Sequence, residues 1–167
     1  MTLRINWFPD PNITGTVKPA TNDKAKIDYP VVNNRNWLRV TSIDTGDNYA
    51  QYTLSGSQLP PAGSYHVHAN VYAQKTKAFF IIYTNVGGVY AAVSSVDVGD
   101  GQTVIVDKTI TIPAGCNQVL VRLRIDNQTV GGIGMMSDIL IERADTYDPA
   151  VGGGLPSFFT GDTMPRA

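Results

Sequence analysis

Glutamate and leucine are scarce in this chain. Of its 14 acidic residues 13 are Asp, Glu142 is the single Glu, and Leu occurs 8 times in 167 residues. Long helices draw on Glu, Leu, Lys and Ala, so a helical bundle is excluded. Cysteine is nearly missing as well, and Cys116 alone closes no internal disulfide. Charge is sparse and balanced: 16% of residues are charged, with 13 Lys+Arg against 14 Asp+Glu, where an ordinary domain has about 25%. Neither nucleic-acid binding nor attachment to an anionic membrane surface finds the excess of positive charge it needs. The longest strongly apolar run, Ala78 to Tyr83, is far short of the ~20 residues that span a bilayer. No basic-then-apolar leader follows Met1, so the expectation is a soluble chain made in the cytosol. A G-x-S-x-G elbow, a P-loop and a dinucleotide fingerprint are all missing, and the expectation is a protein without enzymatic activity or cofactor.

Val, Ile and Thr together number 46. β-branched side chains suit a pleated, half-buried surface, which points to an all-β protein. Residues 1–36, rich in Pro, Asn, Asp and Thr, read as an irregular N-terminal segment of the same domain with at most one or two short strands. From 37 to 167 the texture is that of a sandwich with a C-terminal tail. Trp37 to Ser42 alternates, with Leu38 and Val40 opposite Trp37, Arg39 and Thr41. A second strand covers Tyr49 to Leu54. After the turn at Leu59 to Gly63, Ser64 to Ala73 alternates most clearly, with Tyr65, Val67, Ala69 and Val71 on one face and His66, His68, Asn70 and Tyr72 on the other. Phe79 to Thr84 reads as a central strand, with Val89 to Val96 returning from it as a hairpin. Further strands are predicted over Val104 to Ile112, Gln118 to Asp126 and Met136 to Arg143. Eight to ten strands at this spacing predict a two-sheet antiparallel β-sandwich of jelly-roll type.

Six residues are candidates for binding. His66 and His68 share a strand face roughly 7 Å apart, given ~3.3 Å rise per residue. They read as a metal pair, a sugar or partner contact, or a plain solvated face. No Cys or carboxylate nearby completes a structural ligand set, so no metal is assigned. Tyr72, Arg122, Arg124 and Trp37 also lie on the faces opposite the predicted core. Their rings can stack on a pyranose while His, Asn, Arg and Asp bridge its hydroxyls. Gly99-Asp100-Gly101 and Asp138 admit a structural calcium reading beside the plainer one of turn residues.

Both ends of the chain carry a resemblance. Ile139-Leu140-Ile141-Glu142-Arg143-Ala144, followed by Leu155-Pro156-Ser157-Phe158-Phe159-Thr160-Gly161-Asp162-Thr163, resembles the closing signature of a carbohydrate-binding-module-like jelly-roll domain in minor tail proteins of tailed bacteriophages. Phe158-Phe159 matches the aromatic pair and Gly161-Asp162-Thr163 the core of the tail, while Thr160 stands where Asp is usual and Pro165 is displaced by one. Asn6 to Pro11, Trp37 to Thr41 and Pro61 to Tyr65 resemble the family's opening and two of its strands. The resemblance implies a virion structural protein, made in the host cytoplasm, that serves as a tail-tip subunit contacting host surface glycans. Capsid decoration and a detached carbohydrate-binding module are the alternatives. Other virion proteins are its implied partners, with a homo-oligomer or multiple copies in the particle. Phe158, Phe159, Gly161 and Asp162 are then structural: the aromatics are buried as the tail returns across the sheet, Gly161 permits a tight turn and Asp162 bonds to backbone.

Overall fold

The computed structural model describes residues 3–126, 128–159 and 163–164. In chain order it contains β1 (Arg4–Ile5), β2 (Ala20–Thr21), β3 (Ala25–Asp28), β4 (Val31–Val32), β5 (Arg35–Asn36), β6 (Leu38–Ser42) and β7 (Asn48–Ser55). A 3-10 turn (Gly56–Gln58) leads to β8 (Gly63–Gln74), β9 (Ala78–Val86), β10 (Val89–Val98), β11 (Thr103–Ile112), β12 (Cys116–Ile125), β13 (Ile133–Arg143), α1 (Ala144–Gly152) and β14 (Thr163–Met164).

Two antiparallel five-stranded sheets form a β-sandwich, one ordered β10-β9-β12-β7-β2 and the other β11-β8-β13-β6-β3. We call them the Arg sheet and the His sheet after the side chains on their outer faces. The period-2 pattern decides what each contributes to the core. Ala50, Tyr52 and Leu54 of β7, Phe80 and Ile82 of β9, and Val119, Val121, Leu123 and Ile125 of β12 meet Leu38 and Val40 of β6, Tyr65, Val67, Ala69, Val71 and Ala73 of β8, and Ile139 and Ile141 of β13. From β7 on, the chain crosses repeatedly between the sheets, so consecutive strands are neighbours only in the β9–β10 hairpin.

Two expectations are corrected. Residues 3–36 are not an irregular entry with at most two strands: they hold β1 to β5. These strands have two to four residues each, too few for alternation to register, and β1 and β2 pair with strands farther along the chain, β14 and β7. The second correction is α1, nine residues that the sequence did not reveal. It has no side-chain N-cap bond and contains Pro149. Its amphipathic stripe is short because only Thr146, Tyr147 and Ala150 are buried.

β13 carries a bulge, with its register against β8 shifting between Ser137 and Leu140. Asp138 takes φ 51° there, a left-handed geometry that Asp tolerates better than most side chains. Beyond the bulge β6 no longer pairs with β13, and Asn6 fills the gap. Its amide donates to Ile139 O (2.9 Å) and accepts from the backbone N–H of Ile141 and of Phe8 (both 3.0 Å). Trp7 N–H donates to Ile141 O at 2.9 Å.

Candidate glycan-binding face

The outer surfaces of the two sheets differ in how far they are covered. On the His sheet, α1 and the C-terminal segment lie across the strands. Leu140, Tyr147 and Phe159 form a buried cluster with Phe158 packed against it. His66 is 8% exposed and stacks on Tyr147, with ring centroids 3.5 Å apart and planes 8° apart. Its Nε2 lies 2.7 Å from Asp107 Oδ1, close but poorly aligned as a hydrogen bond. Burial holds the imidazole below its ordinary pKa, and the Asp107 carboxylate opposes this. The His68 ring stacks near Phe158 (6.0 Å) and its Nδ1 lies 2.9 Å from Asp138 O. Tyr72 is half-buried on the same sheet, between Thr103 of β11 and Met135 of β13.

Trp37 is buried beside Val32, Asn33 and Arg35, at the foot of the β4–β5 hairpin. Asp138 accepts from Asn70 Nδ2 (2.8 Å) and pairs with Arg35 (3.1 Å), while Asp100 accepts from Lys75 N–H (2.7 Å). Both carboxylates thus serve a turn or a bulge. Among the described residues no group of three or more His, Cys, Asp or Glu is placed to hold a metal ion. Thr160, Gly161 and Asp162 lie outside the described residues.

Arg122 and Arg124 project from the other sandwich surface. The six candidates therefore do not form one site: His66, His68, Tyr72 and Trp37 belong with the His sheet, and the two arginines with the Arg sheet. There, cross-strand register sets Arg122 between Gln51 of β7 and Ile81 of β9, Arg124 between Tyr49 and Phe79, and Leu120 between Thr53 and Tyr83. The Arg122 guanidinium lies 4.5 Å from the Tyr49 ring centre and 5.3 Å from that of Tyr83. Its Nε and Nη2 both donate to Gln51 Oε1, at 2.8 and 2.6 Å. Arg124 lies 4.8 Å from the Phe79 ring centre.

Beside Arg122 opens a depression of about 330 Å³ lined by Gln51, Tyr83, Tyr90, Leu120 and Arg122. Tyr90 is 55% exposed. Its hydroxyl donates to Gln118 Oε1 (3.1 Å), an oxygen that also accepts from Asn85 Nδ2 (2.9 Å). The depression thus combines two tyrosine rings, an oriented guanidinium and an amide, a mixture of flat apolar surface and placed polar groups suited to a hydroxylated ring. No carboxylate lines it, so it does not offer the acid pair that glycoside hydrolysis needs.

Tyr49, Gln51, Tyr83 and Tyr90 were not singled out from the sequence. The alternation of Tyr49, Gln51 and Thr53 was a usable signal. Tyr83 was hidden because Phe79 to Tyr83 is apolar at every position, so the outward phase of β9 is invisible without its neighbours.

No family model matches the sequence, and no curated protein matches it. Solved structures do. The C-terminal family 22 carbohydrate-binding module of Clostridium thermocellum Xyn10B superposes with a TM-score of 0.62 at 14% identity, covering 86% of this chain and 92% of that one. A family 61 module solved with β-1,4-galactotriose gives 0.55 at 15% identity, covering 83% and 98%. The enzymatically active domain of bacteriophage CBA120 tailspike protein 4 gives 0.52 at 12% identity, covering 78% of this chain and 20% of the tailspike chain. The fold of this chain is that of the carbohydrate-binding-module jelly rolls.

Proposed function

We propose that this chain is a non-catalytic glycan-binding domain whose site is the outer face of the Arg sheet, centred on Tyr83, Tyr90, Arg122 and Gln51. The carrying observation is the depression itself. The half-buried Tyr83 ring and the exposed Tyr90 ring flank a guanidinium already oriented by Gln51 and Tyr49, so little side-chain freedom is lost when a sugar ring docks. The likeness to modules whose ligands are xylan and β-1,4-galactotriose supports a polysaccharide ligand. Affinity electrophoresis in gels containing xylan, β-1,4-galactan or bacterial cell-wall polysaccharide tests it. Retardation by at least one polymer is expected, and Tyr83→Ala and Tyr90→Ala each weaken it several-fold. Unretarded migration in every gel, or retention untouched by both substitutions, overturns the reading.

The setting we favour is a phage particle, on or near the tail tip. The terminal motifs and the likeness to a tailspike domain support it. Mass spectrometry of fractionated particles tests it: recovery with tails is expected, recovery with tail-less heads alone points to capsid decoration, and absence from both rejects a virion role.

A further inference from the structure

Among the described residues no acidic side chain neutralises the two guanidinium groups of the Arg sheet. Asp97 and Asp126 lie on the same side of the sandwich, yet no carboxylate among the described residues comes within 4 Å of Arg122 or Arg124. Both side chains are half-buried, and Arg124 Nε is buried without a hydrogen-bond acceptor. The other arginines among the described residues behave differently: Arg4, Arg35, Arg39 and Arg143 each pair with an acidic side chain. Half-burial of two unpaired cations a strand's alternation apart carries a desolvation cost, and a bound anion offsets it.

The hydrogen bonding of Arg122 shows which atoms are left for that anion. Gln51 Oε1 occupies the Nε–Nη2 side of the guanidinium. The opposite edge, formed by Nη1 and the second N–H of Nη2, has no acceptor among the described residues, and Arg122 lines the depression. Two parallel N–H groups match the two oxygens of a carboxylate. Tyr83 and Tyr90 flank the same space and take the sugar ring that bears it.

We infer that the ligand of this face is an acidic polysaccharide, in which a uronic-acid carboxylate docks on Arg122 and Arg124 adds to the positive field. This rests on the glycan-binding reading above and narrows its substrate class. The two are separated by comparing a uronate-bearing polymer, such as glucuronoxylan or polygalacturonate, with the same polymer after its carboxyl groups are reduced to alcohols. Reduction leaves the backbone intact and removes only the charge.

The expected result is about tenfold tighter binding to the acidic form, from one charge-assisted bidentate contact. That preference should shrink as salt is raised. Arg122→Gln should bind both forms alike, with its thermal midpoint checked against wild type. Equal or tighter binding of the reduced polymer by the wild-type protein overturns this inference and leaves the glycan-binding reading standing. Binding to neither form, together with none to neutral xylan or galactan, overturns both. Because the decisive comparison uses the unaltered protein, a variant that failed to fold would not blunt it.

Discussion

Glu142, the single glutamate of the chain, is fully buried against an equally buried Arg4, 138 positions away. Arg4 Nε and Nη2 hold its carboxylate at 2.7 to 3.1 Å, Nη1 donates to Pro156 O, and Thr146 Oγ1 donates to Glu142 Oε1. The guanidinium lies over Phe159 at 4.8 Å. One ion pair thus ties β1, β13, α1 and the C-terminal segment together. Breaking it leaves a charge buried without its counter-ion, so Glu142→Gln should lower stability by about 3–5 kcal/mol in urea denaturation. The double variant Arg4→Met with Glu142→Leu should lie closer to wild type than either single change, because an apolar pair removes both desolvation costs. Nothing in the sequence marks these residues as partners. The scarcity of glutamate was visible, and its use was not.

At the scale of elements, one of the contacts that holds α1 on the His sheet is His66 stacking on Tyr147, and this makes its seat sensitive to pH. Facing the imidazole are Asp107 of β11, Asp148 of α1, Glu142 of β13 and His68 of β8. Burial lowers the folded-state pKa below 6.5, so the unfolded chain takes up a proton that the folded one resists. The contribution is intact above about pH 6.5 and is lost as pH falls below it. The thermal midpoint should therefore fall between pH 7 and pH 5, and His66→Phe should flatten that part of the profile. Asp28, whose pKa Arg39 holds below 3.8, acts only under more acidic conditions, so the two effects separate along the pH axis. Strands such as β6, β8 and β12 could be read from alternation because each crosses a half-buried sheet. α1 could not, because its apolar contacts are few and its partners lie on other elements.

At the scale of the whole molecule, one core joins both sheets, and Leu123 sits in it with no exposure. Leu123→Ala should cost about 3 kcal/mol, a drop of roughly 10 °C in a chain of this size. Calorimetric and van't Hoff enthalpies should agree, because neither sheet can keep its inner face covered without the other. Polysaccharide retention at low temperature should survive this change, whereas Tyr83→Ala should weaken retention several-fold while leaving the midpoint nearly unchanged. That opposition separates the core from the outer face.

The sequence by itself determined the β class, the presence of the eight strands from β6 to β13, and which side of β6, β8 and β12 faces inward, because period-2 burial is a local property of the chain. It did not determine which outward faces share a surface. His66 and Arg122 both alternate away from the core, yet they stand on opposite sides of the sandwich, because the order in which strands enter the two sheets is set by pairing between distant segments. The same pairing covers the His sheet with α1 and the C-terminal segment. It leaves Arg122, Tyr83 and Tyr90 around an open depression, and only the tertiary structure could decide that.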